Sequence, residues 1–269
     1  MSATVAGPAM EVISGFTTAP STTLTQLTNS SSDSNTVRNF AVGKRGLLLN
    51  TWAFTRTSGI VRIHSPKLHD NVQGIRLRHT ANVPVPLMEQ FYPQLLFPQD
   101  SLIIEMTGSA TAATIETVSL LIYYEALPGI SARFIDEAGL KTRMKNIVGQ
   151  EVAVTGGTGG GYTTGVAING TFDNFKANTD YAILGSKSDA NVPTVAIYGA
   201  DFGNLNLGIP GYNAQHDETR NWFIWLTRLY GLPLIPVFNS ANKAAIFVKQ
   251  LTNETSQTAN VTLELAELG

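Results

Sequence analysis

Ile60-Val61-Arg62-Ile63 has the apolar and β-branched content of a short strand, His64-Ser65-Pro66 breaks it, and Gly74-Ile75-Arg76-Leu77 starts another strand. The same order returns later in the chain, where Thr194-Val195-Ala196-Ile197 precedes Gly208-Ile209-Pro210. Ile63 and Ile197 lie 134 residues apart, and so do Gly74-Ile75 and Gly208-Ile209. A recurrence at one spacing indicates two related units in tandem.

Two further matches lie downstream of these strands. Residues 101–107 match residues 244–252, with Thr107 and Thr252 at a spacing of 145, and a final strand repeats at a spacing of 143. The apolar positions of that final strand are Val118, Leu120 and Ile122 in the first unit and Val261, Leu263 and Leu265 in the second. The growth in spacing indicates that the second unit has gained about eleven residues between its matched strands.

The inserted residues are predicted to form a helix over 213–230. Asp217 and Glu218 stand near its start, where the helix dipole favours acidic groups, and Gly231 and Pro233 end it. One face carries four large apolar residues, which are Trp222, Trp225, Leu226 and Leu229. We interpret this face as core packing of a connecting helix against a sheet, with a ligand-binding platform as the alternative.

The remaining segments complete the predicted organisation. Residues 1–40 hold fifteen Ser or Thr and three charged residues, a composition typical of an extended arm without a core of its own. Residues 131–148 predict a linker helix, and the glycine-rich residues 155–162 predict a flexible, exposed loop. The sequence therefore predicts an all-β fold of two tandem eight-stranded jelly rolls with short connecting helices: an arm over 1–40, a first jelly roll over 41–128, a linker helix and glycine-rich loop over 129–165, and a second jelly roll over 166–269.

Composition limits the possible functions. Among 269 residues only 14% are charged, the formal net charge is -2, and cysteine is absent. The absence of cysteine excludes disulfides and thiolate metal sites, and the weak charge argues against a basic nucleic-acid-binding surface. We find neither a secretion signal nor a segment apolar enough to span a membrane.

No pattern predicts a catalytic, cofactor-binding or metal site. The glycine-rich loop lacks the spacing of a phosphate-binding or dinucleotide-binding loop, and no Gly-x-Ser-x-Gly elbow occurs. His64, His69 and Asp70 lack a third metal ligand, and the other two histidines, His79 and His216, have no catalytic partner nearby. We interpret the first set as turn residues.

The remaining charged positions also have simple interpretations. Glu105 and Glu116 are interpreted as strand-end acids on a solvent face, and Asp70 and Asp173 as turn residues. Four basic residues on or beside two neighbouring strands make one sheet face locally basic, which we interpret as a solvated outer face: Arg62, Lys67, Arg76 and Arg78. The sequence therefore predicts neither an enzyme nor a specific nucleic-acid-binding protein.

The repeated strand blocks, the helix inserted into the second unit, the linker and the arm resemble the double-jelly-roll major capsid proteins of adenovirus and of tailless, membrane-containing bacteriophages. The resemblance covers residues 40–268 and lies in the architecture, without a signature motif. It implies a homotrimer with a pseudo-hexagonal outline that tiles an icosahedral shell around an internal membrane. Neighbouring capsomers and vertex proteins would be its partners, and host cytoplasm its place of assembly.

The resemblance also implies roles for particular segments. The arm would contact the membrane or neighbouring subunits, so we expect deletion of residues 1–30 to leave a folded trimer that assembles poorly. The residues around 156–165 and the turn at Asp201 are candidates for outward-facing loops. Two other classes remain open: a carbohydrate-binding or host-attachment protein of a virion, and a two-domain cupin enzyme. A cupin needs histidines clustered with a glutamate, whereas the matching positions here hold Ile, Gly and Thr.

Overall fold

A computed structural model of the chain describes residues 5–30, 35–70, 72–80, 85–86, 93–111, 115–190, 192–211 and 218–269. These residues form four antiparallel sheets connected by short helical segments. The predicted all-β class is confirmed.

The first unit consists of two sheets. Sheet 1a has the strand order β3-β1-β10-β4, with β7 and β8 paired to different parts of β4, and sheet 1b has the order β2-β9-β5-β6. The strands are β1 (Ala6–Thr17), β2 (Thr25–Gln26), β3 (Thr28–Asn29), β4 (Gly46–Phe54), β5 (Gly59–His64), β6 (Ile75–His79), β7 (Val85–Pro86), β8 (Gln94–Leu96), β9 (Ile103–Met106) and β10 (Glu116–Pro128).

The second unit repeats this arrangement. Sheet 2a has the order β11-β17-β14-β19-β12, and sheet 2b has the order β13-β18-β15-β16. Its elements are β11 (Arg133–Ile135), α1 (Glu137–Arg143), β12 (Met144–Thr155), β13 (Val166–Ala167), β14 (Asp180–Ser188), β15 (Thr194–Tyr198), β16 (Leu207–Pro210), α2 (Trp222–Tyr230), β17 (Ile235–Asn239), β18 (Phe247–Leu251) and β19 (Thr258–Leu268). Short 3₁₀ helices cover Ala200–Phe202, Glu218–Asn221 and Ser240–Ala245.

Both units have the strand order of a jelly roll. When the strands of the second unit from β12 to β19 are counted one to eight, sheet 2a reads 6-3-8-1 and sheet 2b reads 2-7-4-5. The first unit gives the same orders, with β7 and β8 sharing the sixth position. The additional strands are β3 and β11, each at a sheet edge. Two sheets of these orders are the two Greek keys of a jelly roll.

A β-bulge marks the same position in both units. The pairing of β10 with β4 shifts between Leu121 and Ile122, and the pairing of β19 with β14 shifts between Glu264 and Leu265. Leu121 and Glu264 are 143 residues apart, which confirms the spacing predicted for the last strand. Because a bulge disrupts the ladder at one defined point, it fixes which residues of the two units correspond.

One predicted match is displaced by two residues. Ile63 pairs with Ile75 in the first unit, and its counterpart Ile197 pairs with Leu207 in the second. The counterpart of Ile75 is therefore Leu207, and Ile209 corresponds to Leu77 instead. The wrong match arose because Gly-Ile occurs at both places, while the register depends on strand pairing across a connection of different length.

The insertion in the second unit lies where it was predicted. The connection from β16 to β17 spans residues 211–234, whereas that from β6 to β8 spans only 80–93. Helix α2 is shorter than predicted and follows a 3₁₀ helix, and residues 213–217 of the prediction lie outside the described residues. Gly231 ends α2 in the left-handed region with φ of 64°, as its position in the sequence indicated.

The predicted N-terminal arm is wrong for the residues that the structure describes. Strand β1 pairs with β10 over residues 6–17, and Ala9–Gly15 are buried. The Ser and Thr content of the segment concealed a run of four apolar residues interrupted by Glu11, Ala9-Met10-Glu11-Val12-Ile13, and apolar clusters lie on both faces of this run. Deletion of residues 1–30 would therefore remove a central strand of sheet 1a.

The predicted linker over 129–165 is also wrong in its main part. Helix α1 occupies only Glu137–Arg143, with Asp136 accepting a hydrogen bond from the N–H of Gly139 at its start, 2.7 Å long. Residues 144–155 form β12, which pairs with β19 along its length. The second unit thus begins well before residue 166, because its first strand lies within the predicted linker.

Sheet 1a is buried on both faces. Alternate residues of β1 and β10 enter one of two apolar clusters, since successive strand side chains point to opposite faces. Ile13, Leu120 and Ile122 face sheet 1b and form the core of the first unit. Val12 and Leu121 face the other way and join the cluster that also forms the core of the second unit. The two units therefore pack against each other through the face of sheet 1a that points away from sheet 1b.

Candidate functional site: the seam between the two units

The contact between the two units is called the seam, and it joins the outer face of sheet 1a to the outer face of sheet 2b. In sheet 2b, Val195, Ile197 and Ile209 are core residues, so the alternate positions Thr194 and Gly208 point outwards. Strand β1 crosses this outer face, and the N–H of Val12 donates to the carbonyl of Asn206 over 2.8 Å. The seam therefore joins two sheets that do not correspond to each other, sheet 1a and sheet 2b.

A chain of buried hydroxyl groups lies at the centre of the seam. The Oγ of Ser119 lies 2.7 Å from the Oγ of Ser14 and 2.8 Å from the Oγ1 of Thr194, and Ser14 also lies 2.9 Å from the Oη of Tyr162. Burial raises the pKa of Tyr162, so this phenol stays protonated as a hydrogen-bonding group. Buried polar groups that satisfy one another fix the register of the two faces.

Trp52 anchors the seam next to these hydroxyl groups. Its side chain is 1% exposed, and its Nε1–H donates to the carbonyl of Pro193 over 3.0 Å and to the Oγ1 of Thr194 over 2.9 Å. The ring of Trp222 meets it edge-on at a centroid distance of 5.8 Å. A large apolar group with a satisfied indole N–H contributes both area and orientation to such a contact.

Helix α2 completes the seam from the second unit. Trp222 is buried and donates from Nε1 to the carbonyl of Gly208 over 3.1 Å, and the Oη of Tyr230 donates to the carbonyl of Leu49 in the first unit. The interpretation of this face as core packing is confirmed for Trp222 and Leu226, whereas Trp225 and Leu229 are only partly buried. The apolar face of α2 is used to hold the two units together.

Glycines let the two units approach closely. A Cβ at Gly208 would lie 2.5 Å from the Cβ of Val12, and one at Gly160 would lie 2.1 Å from the ring of Phe16. The glycine-rich residues 155–162 were expected to form a flexible, exposed loop, and this expectation is wrong for Gly159 and Gly160, which are buried against the first unit. Glycine serves here for close packing, because no side chain would fit.

Each end of the seam has an open cleft. One cleft of about 740 Å³ lies between the units beside Arg38, Leu127 and Asn204. The other, of about 650 Å³, lies beside Arg56, Ile115 and other residues of both units. No group of three or more metal-ligating side chains occurs among the described residues, in these clefts or elsewhere.

A buried carboxylate stands near each cleft. Glu11 accepts a hydrogen bond of 2.6 Å from the Oη of Tyr124 and one of 2.7 Å from Arg38. Burial, followed by the charge of Glu11, raises the pKa of Tyr124 well above its ordinary value. Glu116 accepts from the hydroxyl of Thr55 over 2.6 Å and from the N–H of Ser109 over 3.0 Å. Both acids are bound by fixed donors and hold segments of the first unit in place.

The interpretation of Glu116 as a solvent-facing acid is wrong, because its side chain is 0% exposed. Glu105 does lie on the outer face of sheet 1b, where it forms an ion pair with Arg62 and lies 3.6 Å from the Nε2 of His64. The two glutamates bind different partners and do not form a catalytic pair. Burial, followed by the charge of Arg62, lowers the pKa of His64.

Asp70 and Asp173 lie in turns as predicted, whereas the prediction is wrong for His64, which is the last residue of β5. Asp70 accepts hydrogen bonds from the N–H groups of Val72 and Gln73 at 2.9 and 2.8 Å, the pattern of an Asx turn. Asp173 accepts a hydrogen bond of 3.4 Å from the N–H of Phe175 and binds Lys243. His79 is buried and lies 3.1 Å from the carbonyl of Thr107, while His216 lies outside the described residues.

Sequence reasoning missed the seam residues. Trp52, Ser119 and Tyr162 carry no motif, and their partners are more than 70 residues away in the chain. One signal was available: Gly46–Phe54 and Val118–Tyr124 are almost continuously apolar, which in an antiparallel strand indicates that both faces are covered. Which surface covers the second face depends on the packing of the units.

Comparisons with known proteins give a weak fold similarity. No known protein family matches the chain, and no curated protein matches it. Over 97% of its length the chain is similar to PBSX exported protein XepA, with 10% identity, a TM-score of 0.26 and coverage of 86% of that protein. It is similar over 97% to the major capsid protein P2 of Bacteriophage PM2, at 7% identity, a TM-score of 0.24 and 98% coverage.

A third similar structure is the STIV MCP, matched over 96% of both chains at 7% identity and a TM-score of 0.22. These values are too low to carry a function from one protein to another. Among the described residues, no helix is long and apolar enough to cross a bilayer. The function proposed below is therefore argued from the two units and their seam.

Proposed function

We propose that the chain is the major capsid subunit of a virion, which self-assembles as a trimer and tiles an icosahedral shell around an internal membrane. The observation that carries this proposal is the seam, where sheet 1a of one jelly roll meets sheet 2b of the other. Because the seam joins two different faces of similar units, it is a head-to-tail contact. The first unit keeps its sheet 1b face for a further contact, and the second unit keeps its sheet 2a face. Repetition of the contact leads to a ring.

A ring of three chains contains six jelly rolls, so a threefold trimer acquires a nearly hexagonal outline that fits a hexagonal lattice. Neighbouring capsomers and vertex proteins are its partners in this proposal, and assembly in the host cytoplasm precedes incorporation into the virion. Membrane contact through residues 1–40 is no longer part of it, since β1 is a buried strand of sheet 1a. The jelly-roll fold alone would be weak support for a capsid function, because proteins with this fold have many functions.

The test is the mass and outline of the purified chain. We expect light scattering to give about 87 kDa, three times the chain mass of 28.9 kDa, and negative-stain images to show particles with a hexagonal outline or closed shells. A monomer at micromolar to millimolar concentration would contradict the proposal. Binding to a glycan array by such a monomer would support the alternative of a carbohydrate-binding attachment protein.

A further inference from the structure

The outer face of sheet 1b and the β12 side of the outer face of sheet 2a carry exposed residues, and each is the counterpart of a surface used in the seam. The outer face of sheet 2a corresponds to that of sheet 1a, and the outer face of sheet 1b corresponds to that of sheet 2b. The bulges in β10 and β19 and the strand pairings fix this correspondence residue by residue.

In the first strand of each unit, Val12 pairs with Leu121 and Ser14 with Ser119. The corresponding pairs in the second unit are Gly149 with Glu264 and Glu151 with Thr262. Gly149 and Glu151 therefore take the places of Val12 and Ser14. Both are exposed on β12, and Ile147 beside them is 52% exposed, which is unusual for an isoleucine on a strand.

The outer faces of sheets 1b and 2b can be compared in the same way. Gly208 pairs with Ala196 and Pro210 with Thr194, while Arg76 pairs with Arg62 and Arg78 with Ile60. Arg76 and Arg78 thus take the places of Gly208 and Pro210. Both arginines are exposed, and neither has an ion pair or hydrogen bond with any residue that the structure describes.

We propose that the exposed face of β12 in one copy of the chain docks on the exposed face of β6 in a second copy, as β1 docks on β16 within the chain, with Glu151 beside Arg76 and Arg78. The sizes are complementary: within the chain a valine covers a glycine, whereas between copies Gly149 covers an arginine. The charges are complementary too, because the carboxylate of Glu151, which has no ion pair with a described residue, would meet the guanidinium groups of Arg76 and Arg78.

This inference rests on the proposed trimer and adds which surfaces form it. The outer side of Gly149 is open, since a Cβ there would meet only the Cγ2 of Thr262 at 3.6 Å, and a side chain at this exposed position is compatible with the fold of one copy. A substitution at Gly149 can therefore act on association without disturbing the monomer. Helix α2 packs on β14 and β17, and the 3₁₀ helix Glu218–Asn221 packs on β14 and β19, where Arg220 forms an ion pair with Glu264. The outer side of β12 remains exposed at Ile147, Gly149 and Glu151.

The absence of native cysteine allows a direct test by cross-linking. The variant with Gly149→Cys and Arg76→Cys, oxidised with copper phenanthroline, is expected to yield a covalent trimer on a non-reducing gel, because its two thiols meet only between copies. Each single variant is expected to stay uncross-linked, and so is the pair Val42→Cys with Arg76→Cys, since Val42 lies in an exposed turn. Intact trimers in the double variant without cross-linking would overturn the interface and leave the proposed function standing.

Charge reversal gives an independent test on the full chain. Glu151→Arg and Arg78→Glu are each expected to weaken trimer formation at least about tenfold in sedimentation equilibrium, and the double variant to recover most of the loss. Lys44→Glu, an exposed reversal in a turn of the first unit, is the matched control and should change nothing. Circular dichroism melts verify that each variant folds, and Gly149→Trp provides a second variant that blocks docking by size.

The outcomes separate the two proposals. Trimers that resist Glu151→Arg, Arg78→Glu and Gly149→Trp would overturn this interface alone. A wild-type chain that is monomeric under all conditions would overturn both this interface and the proposed capsid function. Dissociation by all three variants, with rescue by the double reversal, would support both.

Discussion

Strands β1 and β12 are the first strands of their jelly rolls and correspond residue by residue, yet their surroundings differ. Val12 and Ser14 of β1 are buried in the seam, whereas Gly149 and Glu151 of β12 are exposed. A smaller difference separates Trp52 and Ser119, which are buried, from their counterparts Lys187 and Thr262, which are half-buried. Positions that hold Val, Ser and Trp in the seam thus hold Gly, Glu, Thr and Lys on the outer face of sheet 2a.

Burial of the second sheet face, and not the jelly-roll strand order, therefore decides which residue types occur at these positions. A strand with one covered face buries only alternate residues, and β12 shows that alternation of burial from residue 150 to 154, with Val152 and Val154 inside. A strand with two covered faces reads as a continuous apolar run. Matched substitutions in the seam and at its free counterpart can therefore break or sharpen the comparison.

The largest effect is expected from Trp52→Ala. The substitution removes a side chain that is 1% exposed and leaves Thr194 with one donor fewer, so we expect the free energy of unfolding to fall by about 3–5 kcal/mol in urea titrations. Lys187→Ala at the corresponding position of β14, where the residue is half-buried, should cost less than about 1 kcal/mol. Equal losses at the two positions would contradict the assignment of the seam.

Overpacking at Gly208 should have the next largest effect. Because a Cβ there would lie 2.5 Å from the Cβ of Val12, Gly208→Val is expected to destabilise the chain by about 1–3 kcal/mol. Arg76→Val at the counterpart should change the unfolding free energy of an isolated chain by less than about 0.5 kcal/mol. Chemical denaturation of both variants at low protein concentration measures the difference, and a neutral Gly208→Val would refute the close approach.

Ser119→Ala tests the hydroxyl chain at the centre of the seam. The change removes the group between Ser14 and Thr194, and we expect a cost of about 1–2 kcal/mol because both remaining hydroxyl groups are buried. Thr262→Ala, at the free counterpart, is expected to stay within about 0.5 kcal/mol. Thermal melts of the pair compare them directly; a loss limited to Thr262→Ala would reverse the expectation.

The smallest expected effect is a dependence of stability on acid in the second unit. The hydrogen bond from Arg133, followed by that from Asn239 against the opposing effect of burial, lowers the pKa of Asp180 to about 2. Since this pKa is lower in the folded than in the unfolded chain, the stabilisation is present above about pH 4 and is lost as the pH falls towards about 2. Asp180→Asn should flatten this part of the stability profile, measured as urea midpoints between these values.

An unchanged acid profile in Asp180→Asn would show that another group controls the second unit at low pH. If the profile flattens, the ion pair of Asp180 with Arg133 accounts for the loss of stability at low pH. The matched control is Asp189→Asn, because Asp189 is an exposed carboxylate of the second unit that is also bound to an asparagine side chain, that of Asn260.

The sequence determined the duplication, the all-β class, the position of the inserted helix and the turn residues. These features depend on local patterns: apolar alternation, the glycine that ends α2 and the Asx turn at Asp70 each act within a few residues. The bulge that confirms the spacing of 143 was not visible in the sequence, but the repeated apolar positions of the last strand gave the same result.

Only the tertiary structure decided the roles of β1, β12 and the glycine-rich segment. The Ser and Thr content of residues 1–40 predicts an arm, because composition gives only the average polarity of a segment. The burial of Ser14 depends on Ser119 and Tyr162, which are distant in the sequence. The exposed face of β12 could not be recognised either, since exposure is a property of the packed pair of units. Contacts between sheets join residues more than 70 positions apart, and no local pattern encodes which of two apolar faces meets which.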